Sequence, residues 1–265
     1  MRLRRPPAEG GPRQKGRVDE KLLLSFESLE ETHWWFVVRR RIVLDATARQ
    51  APRPVRRILE VGCGTGGTMR ALRARFPSAD IKGVEPVEAA ARIAAGKGCD
   101  VTSGTFEHLP ADGESLDLLL ALDVLEHLAD DGLGLAEAFR ALRPGGRLIV
   151  TVPALPGQWS VHDELNGHFR RYTRASLVDA VRAAGFRVER ATYFNTVLLP
   201  LALFERAALR RLKLPRSPAV ALPPRPLNAA LRGVFGLERP ILARADLPIG
   251  LSLLLIAGRP ARPAV

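Results

Sequence analysis

Cysteines and long hydrophobic runs are both scarce in this 265-residue sequence. The two cysteines, Cys63 and Cys99, are too few for a disulfide framework, and no Cys-x-x-Cys pair or Cys/His cluster suggests a zinc site. The longest apolar runs, TVLLPLALF and IGLSLLLIAG, fall short of the roughly 20 residues that span a bilayer. The N-terminal KLLLSFESLEE turns acidic after its leucines, so we expect no cleaved signal peptide and a cytoplasmic location.

Acidic residues are outnumbered, and the formal net charge is +12. Residues 1–17 carry six basic residues and one acidic residue, residues 204–217 carry five and one, and residues 218–265 carry six and two. The remaining stretch, residues 18–203, is left nearly neutral at −1. Because a nucleic-acid-binding domain needs a basic groove, this distribution argues against nucleic acid as a partner. Peripheral contact of the basic ends with an anionic membrane stays open, as does the oligomeric state.

The chain divides into five segments. Residues 1–17, rich in Pro, Gly and Arg, are predicted to be a disordered basic arm. Residues 18–50 have a helical pattern and are interpreted as an N-terminal helical lid. In residues 51–195 strand and helix patterns alternate, which predicts an α/β domain with a doubly wound, mostly parallel sheet. Residues 196–248 are predicted to be a helical cap insertion, and residues 249–265 the last strand and a tail.

This alternation of strand and helix patterns predicts the bounds of the individual strands and helices. The predicted strands are Arg57–Val61, Ile81–Glu85, Val101–Ser103, Leu116–Leu122, Arg147–Val152 and Arg187–Phe194. The predicted helices are Gly67–Phe76, Val87–Ala95, Gly132–Leu142 and Arg174–Ala184.

The first of these strands runs into the loop of ILEVGCGTGG, which has a Gly62-x-Gly64-x-x-Gly67 pattern. Glu85 follows about 20 residues later, at the end of the next strand, where its carboxylate can accept hydrogen bonds from both ribose hydroxyls of an adenosine. The pattern suits NAD as well as S-adenosylmethionine (SAM). NAD places a pyrophosphate at the helix N-terminus, and the carboxylate of Glu60 would oppose it. SAM brings an ammonium and a sulfonium, which Glu60 would stabilise unless it merely caps the loop.

Four stretches together resemble class I SAM-dependent methyltransferases: ILEVGCGTG, GVEP, LDLLLALDVLEHL and LRPGGRLIVTVP, in order over roughly residues 55–195. The resemblance implies a Rossmann-like seven-stranded sheet whose antiparallel last strand is GLSLLLIAGR. It also implies SAM as the cofactor, with Glu85 on the ribose and Gly62, Gly64 and Gly66 along the methionine moiety. Thr105 stands where many members carry an acid toward adenine, and Phe106 is expected to pack on the adenine ring. The remaining cofactor contacts are expected from Glu60, Cys63, Pro86 and Asp123.

Two histidines are the candidate catalytic residues. Methyl transfer to oxygen requires a proton to be removed, which suits a nearby histidine. In ALDVLEHL, Asp123, Glu126 and His127 share a face if the segment is helical. The run resembles the acid-x-x-Glu-His run of ubiquinone-biosynthesis O-methyltransferases, to which that family assigns a divalent cation. Many small-molecule methyltransferases carry the run without a metal, so we predict none. His168, in VHDELNGHFRRYT after the fifth strand, is the second candidate.

The acceptor is predicted to be a small or lipid-like molecule. The VHDELNGHFRRYT loop is interpreted either as its binding loop or as a surface loop, and HWWF either as a lid over the sulfonium or as helix packing. In TVLLPLALFERAALRRLKL, Leu201, Phe204, Ala208 and Leu212 can share one face, and Arg206, Arg210 and Lys213 another, as in a cap or an interfacial helix. An NAD-dependent oxidoreductase remains an alternative, but no Ser/Tyr/Lys set supports hydride chemistry. A nucleic-acid methyltransferase remains another, without an N/D-P-P-Y motif.

Overall fold

The computed structural model describes residues 20–211 and 221–261. The predicted disordered arm, residues 1–17, lies outside the described residues. The predicted N-terminal helical segment contains two helices, α1 (Glu20–Leu29) and α2 (Trp34–Gln50). A turn at residues 30–33 separates them, and the His33 ring caps α2 because its Nδ1 accepts a hydrogen bond from the Trp35 N–H at 3.3 Å.

The described strands form one seven-stranded sheet in the order β3-β2-β1-β4-β5-β7-β6. Their bounds are β1 (Arg57–Val61), β2 (Asp80–Glu85), β3 (Asp100–Ser103), β4 (Leu116–Leu122), β5 (Leu142–Pro153), β6 (Arg187–Phe194) and β7 (Ser252–Gly258). β7 lies between β5 and β6 and is antiparallel to both, whereas the other pairs are parallel. The predicted mostly parallel sheet with an antiparallel last strand is therefore confirmed.

Helices cover both faces of this sheet. The connecting helices are α3 (Gly67–Arg75), α4 (Glu88–Gly96), α5 (Asp131–Ala141), α6 (Val161–Leu165) and α7 (Arg174–Ala183). Successive strand side chains point to opposite faces: in β4, Leu119 packs with α5 and α7, whereas Leu118 and Leu120 pack with α2 and α3. The central strand β4 is therefore apolar on both sides, as a strand buried on both faces requires.

The predicted insertion before the last strand contains α8 (Leu199–Arg211), α9 (Arg225–Gly236) and α10 (Glu238–Leu242). α9 and α10 pack against α2. On α8, Leu201 and Phe204 are exposed, as an apolar interfacial face requires. Leu212 and Lys213 of the predicted amphipathic segment lie outside the described residues. No helix within residues 20–211 and 221–261 has both the length and the apolarity to cross a bilayer.

Candidate functional site

The loops after β1, β2, β4 and β5 meet at one edge of the sheet, because parallel strands have their carboxyl ends on the same side. With α1 and α2 they enclose a cavity of about 1280 Å³. Both predicted catalytic histidines, His127 and His168, line it. So do nine of the ten predicted cofactor-binding residues: Glu60, Gly62, Cys63, Gly64, Glu85, Pro86, Thr105, Phe106 and Asp123.

The tenth, Gly66, lies behind the cavity wall. It precedes α3 with a φ of 87°, and a Cβ there would stand 2.9 Å from the Cys99 sulfur. At Gly62, with a φ of 65°, a Cβ would stand 2.6 Å from a methyl of Val124. At Gly64 it would meet no atom within 4 Å in the described structure, so this glycine leaves the backbone open toward the cavity. The loop thus needs glycine for its left-handed backbone and for close packing at Gly62 and Gly66, whereas its tip at Gly64 is open.

Glu85 ends β2 beside that tip. One carboxylate oxygen accepts a hydrogen bond from the Gly64 N–H at 2.8 Å, and the other accepts one from the Val87 N–H at 3.0 Å. Burial raises the pKa of Glu85, and these two bonds oppose the rise. The carboxylate is fixed against the cavity wall, with lone pairs left to accept hydroxyl donors.

Glu60 lies near the end of β1 and is 3% exposed. Its Oε2 is buried and has no hydrogen-bond partner in the described part of the chain. Burial raises the pKa of Glu60 to about 8, although the positive charge of Arg39 opposes the rise. A buried carboxyl oxygen without a partner is costly, and a cationic ligand in the cavity would satisfy it.

Asp123 follows β4, with a φ of 57°, and is held by α2. The Arg39 guanidinium lies 2.5 Å from Asp123 Oδ2, and the Thr151 hydroxyl donates to Asp123 Oδ1 at 3.1 Å. Arg39 also lies over the Trp35 ring, 5.1 Å from its centroid. The sequence reasoning missed Arg39 as a site residue. The available signal was its position on the apolar face of α2, where Ile42 and Val43 follow at three and four residues.

Glu126, His127 and His168 form a cluster in which Glu126 and His168 are buried and His127 is partly buried. Leu125–His127 is a single 3₁₀ turn that does not include Asp123, so Asp123, Glu126 and His127 do not share one face of a helix. Instead, ligand atoms of these three residues lie within 4.8 Å of one another. Within the described residues, neither Glu126 oxygen nor His127 Nδ1 has a hydrogen-bond partner.

The pKa values in this cluster move toward neutral forms. Burial, and then the charge of Asp123, raises the pKa of Glu126 well above its ordinary value. Burial, and then His168, lowers the pKa of His127 to about 3. The two imidazole rings meet edge to face, with centroids 4.7 Å apart. His127 is therefore a neutral imidazole near pH 7 and a weak base.

His168 is oriented by Asp163, the first acid of the predicted acceptor loop. Its Nδ1 lies 3.0 Å from Asp163 Oδ1. Arg171 donates to both Asp163 oxygens, at 2.6 and 3.0 Å. Burial raises the pKa of Asp163, but the hydrogen bonds from His168 and Arg171 outweigh it and hold the pKa well below its usual range. With this carboxylate ionised, Nδ1 keeps its proton, and Nε2 is left to accept one.

The other residues of that loop lie in two places, some on the cavity wall and some outside the cavity. His162 and Asn166 line the cavity. Arg170 instead pairs with Asp131 at 3.0 Å, and the buried Tyr172 hydroxyl donates to the same carboxylate at 2.6 Å. The segment thus contributes both to the cavity wall and to packing outside it, and its role in binding the acceptor stays a prediction.

The aromatic HWWF stretch contacts both the cavity and helix α9 of the insertion. Trp34 and Trp35 line the cavity, and Trp34 also meets Phe235 of α9 edge to face at 5.7 Å. Asn228 of α9 accepts a hydrogen bond from the Trp34 N–H at 2.9 Å. The insertion thus holds α2 in place, whereas of its own described residues Glu205 is the one that lines the cavity.

Comparison with known proteins places this geometry in a family. A family model described as a methyltransferase domain matches residues 37–191, more than half of the chain. The ubiquinone biosynthesis O-methyltransferase of Azorhizobium caulinodans is 42% identical over 101 residues, 36% of this chain and 39% of that protein. A probable SAM-dependent methyltransferase of Mycolicibacterium smegmatis is 30% identical over 185 residues, 61% of this chain and 62% of that protein. The chain thus matches less than two thirds of the length of these relatives.

Solved structures agree on the fold. A Haloferax volcanii methyltransferase, solved in complex with the Trm112 methyltransferase activator, superposes with a TM-score of 0.61 at 19% identity, over 93% of this chain and 97% of that one. Phosphoethanolamine N-methyltransferase 2 of Haemonchus contortus, bound to S-adenosylhomocysteine, has a TM-score of 0.61 at 14% identity, over 90% of this chain and 57% of that one. The strand order, the glycine loop and the family match lead to one conclusion: the chain belongs to the class I SAM-dependent methyltransferase family.

Proposed function

We propose that the protein transfers the methyl group of SAM to a hydroxyl oxygen of a small acceptor, with His168 as the general base. The observation that carries this proposal is the His168–Asp163 pair at the cavity wall, with a 3.0 Å hydrogen bond that fixes the imidazole. Methyl transfer to an alcohol or a phenol releases a proton, and an oriented imidazole is suited to take it.

The cofactor would lie along the glycine loop. Glu60 would pair with its ammonium, Glu85 would accept hydrogen bonds from its ribose hydroxyls, and the Gly64 backbone is open to it. When bound, SAM supplies a methyl group on a sulfonium, which an acceptor displaces in line. Because such a displacement depends on positioning, the work of the protein is to align the acceptor oxygen and remove its proton.

A divalent cation is the competing occupant of the Glu126–His127–His168 cluster. The Glu126 oxygens, which have no hydrogen-bond partner within residues 20–211 and 221–261, and the two imidazoles suit one chemically. It would supply Lewis-acid stabilisation of an acceptor oxyanion. Asp123, the first acid of the acid-x-x-Glu-His run, is instead engaged by Arg39 and Thr151. We therefore propose transfer without a metal.

Chelation tests this proposal. Dialysis against EDTA should leave the rate of methyl transfer unchanged, and added Mg²⁺ or Zn²⁺ should not raise it. A chelated protein that loses its activity and regains it with one of these ions would assign the cluster to a metal.

The acceptor is proposed to have an apolar body. Trp34, Trp35 and Phe36 provide aromatic surface in the cavity. Leu201 and Phe204 are exposed on α8, the helix that reaches the cavity through Glu205. We also propose that the insertion covers the acceptor and that the protein contacts a membrane surface peripherally. The exposed apolar residues of α8 support both proposals.

A methyl-transfer screen tests the proposed activity. The full chain would be incubated with methyl-radiolabelled SAM and, separately, phenols, quinone precursors, sugars and lipid extracts. We expect label on a hydroxyl of an apolar phenol or a lipid-like alcohol. Label on nitrogen or carbon acceptors alone would reject the proposed oxygen chemistry.

Removal of the Glu85 side chain should weaken cofactor binding. We expect Glu85→Ala to lower the affinity for S-adenosylhomocysteine by about 1.5–3 kcal/mol, the range for hydrogen bonds to a charged group. Calorimetry on the folded variant measures the change. Asp100→Ala, on the exposed start of β3, is the matched control and should bind normally. Equal affinities of the two variants would show that Glu85 does not hold the ribose.

A further inference from the structure

The turn that follows β6 is fixed in a left-handed backbone conformation. Asn195 has a φ of 58°, which residues other than glycine seldom adopt. The N–H groups of residues 195–197 all donate to the buried carboxylate of Glu238 on α10, at 2.7, 2.7 and 2.8 Å. The Asn195 carbonyl accepts a hydrogen bond from the Leu251 N–H, just before β7, at 3.3 Å. The insertion and the start of β7 therefore hold the backbone of Asn195 from two sides.

The side chain of Asn195 belongs to the cavity wall. The residue lines the cavity and is 5% exposed. Its Oδ1 is buried and has no hydrogen-bond partner within residues 20–211 and 221–261. Asparagine tolerates a left-handed turn, but glycine would suit the backbone equally well. The turn thus does not explain a buried carboxamide oxygen without a partner, which costs free energy. A hydrogen-bond donor on a ligand in the cavity would satisfy it.

Asn195 lies at the end of the cavity that is remote from the cofactor loop. Both β5 and β6 are antiparallel to β7, so the carboxyl end of β6 lies at the same sheet edge as that of β5. In the order β1-β4-β5-β7-β6, β6 is four strand spacings from β1, or about 19 Å. It is two spacings, or about 10 Å, from β5, which His168 follows. A cofactor on the loop after β1 is therefore far from Asn195, and an acceptor beside His168 is closer.

Ser252 is a second polar residue at this end of the cavity. It begins β7, pairs with Phe194 of β6, and lines the cavity. Its hydroxyl and the Asn195 carboxamide can each donate and accept a hydrogen bond. Because both groups are uncharged, they suit a neutral ligand group of the same kind, a hydroxyl or an amide.

We propose that Asn195 determines acceptor specificity by hydrogen bonding to a second neutral polar group of the acceptor, a hydroxyl or an amide about 10 Å from the methylated oxygen. This inference rests on the proposed function for the position of that oxygen beside His168. The acceptor is then polar at both ends of its apolar body. Glu238 is a positioning residue, because it holds the Asn195 N–H and does not line the cavity.

Binding of two matched phenols tests this specificity. One, para-(hydroxypropyl)phenol, has a hydroxyl at the far end of its side chain, and the other, para-propylphenol, lacks it. Calorimetry would measure the affinity of each for the full chain saturated with S-adenosylhomocysteine. We expect the hydroxypropyl phenol to bind about tenfold more tightly, as for one hydrogen bond to an otherwise unsatisfied buried group. Asn195→Gly suits the left-handed backbone and should abolish this preference without weakening the binding of para-propylphenol.

Glu114→Gly is the matched control. Glu114 also has a left-handed backbone, with a φ of 54°, but it is exposed and pairs with Arg259 at 2.6 Å, away from the cavity. This variant should keep the preference, and both glycine variants should keep their affinity for S-adenosylhomocysteine, which reports an intact fold. Equal affinities of the unaltered chain for the two phenols, no binding of the hydroxypropyl phenol, or an unchanged preference in Asn195→Gly would each overturn the proposal.

Transfer of label from methyl-radiolabelled SAM, measured separately, distinguishes this proposal from the proposed function. A binding preference that depends on Asn195 supports the specificity site even where no label is transferred. If the unaltered chain and Asn195→Gly each label both phenols equally well, the methyl transfer is supported and the specificity site is rejected.

Discussion

Replacing His168 by alanine is expected to slow methyl transfer by about 10²- to 10⁴-fold, the range for the loss of one general base. The reason is geometric: Asp163 holds Nδ1 at 3.0 Å, which leaves Nε2 as the proton acceptor. Affinity for S-adenosylhomocysteine should be unchanged, because His168 lies in the loop after β5, away from the glycine loop. Turnover with labelled SAM and calorimetry on the same preparation separate the two effects.

Two histidine variants provide the comparison. His108→Ala removes an exposed imidazole and should have no effect on turnover. His127→Ala should cost less than His168→Ala, because a pKa of about 3 makes His127 a poor base. If the variants of His127 and His168 lose only a few-fold in turnover, neither of these two histidines assists, and transfer to nitrogen or carbon becomes the better account.

The sheet could be predicted closely from the sequence. The bounds of β1, β4 and β6 match the predicted ones, and β4 is an apolar run interrupted by Asp117 alone. Such near-continuous runs mark strands well when both faces of the sheet are buried. β5 starts at Leu142, five residues before the predicted Arg147. The sequence Pro144-Gly145-Gly146 predicts a turn at this point. Leu142 in fact pairs with Leu116, before a register shift in that pair of strands.

The site residues could be predicted where they lie at or just after the end of a predicted strand. Glu60, Glu85, His127 and His168 all follow or end strands, and the sheet brings them to one edge. Arg39 was missed because its partner, Asp123, is 84 residues away along the chain, and local pattern carries no information about such a pair.

Glu60→Gln is expected to weaken binding of S-adenosylhomocysteine by about 2–5 kcal/mol at pH 8, the range for removing one partner of a buried charge pair. The buried Oε2 has no partner in the described residues, so the ligand ammonium would be its counterpart. Glutamine keeps the size of the side chain but not its charge. Calorimetry at pH 8 measures the loss.

The same residue should make binding depend on pH. In the free protein, burial raises the pKa of Glu60 to about 8, with Arg39, Thr68 and Arg40 opposing and Glu30 reinforcing the rise. A bound ammonium stabilises the carboxylate and lowers this pKa, so binding below pH 8 releases a proton. Affinity should therefore rise with pH, by at most about tenfold per unit, and level off as pH passes the free-protein value.

Glu60→Gln should flatten this rise, because glutamine does not titrate. Asp179→Asn, an exposed carboxylate on α7, should leave both the affinity and its pH dependence as they are. Calorimetry from pH 6 to pH 8, in buffers with different ionisation enthalpies, gives the affinity and the number of protons released. Affinity that does not change with pH in the unaltered chain, or an equal slope in Glu60→Gln, would mean that Glu60 does not meet the ammonium. The contact would then belong to another carboxylate of the cavity, since Glu30, Glu85 and Glu126 also line it.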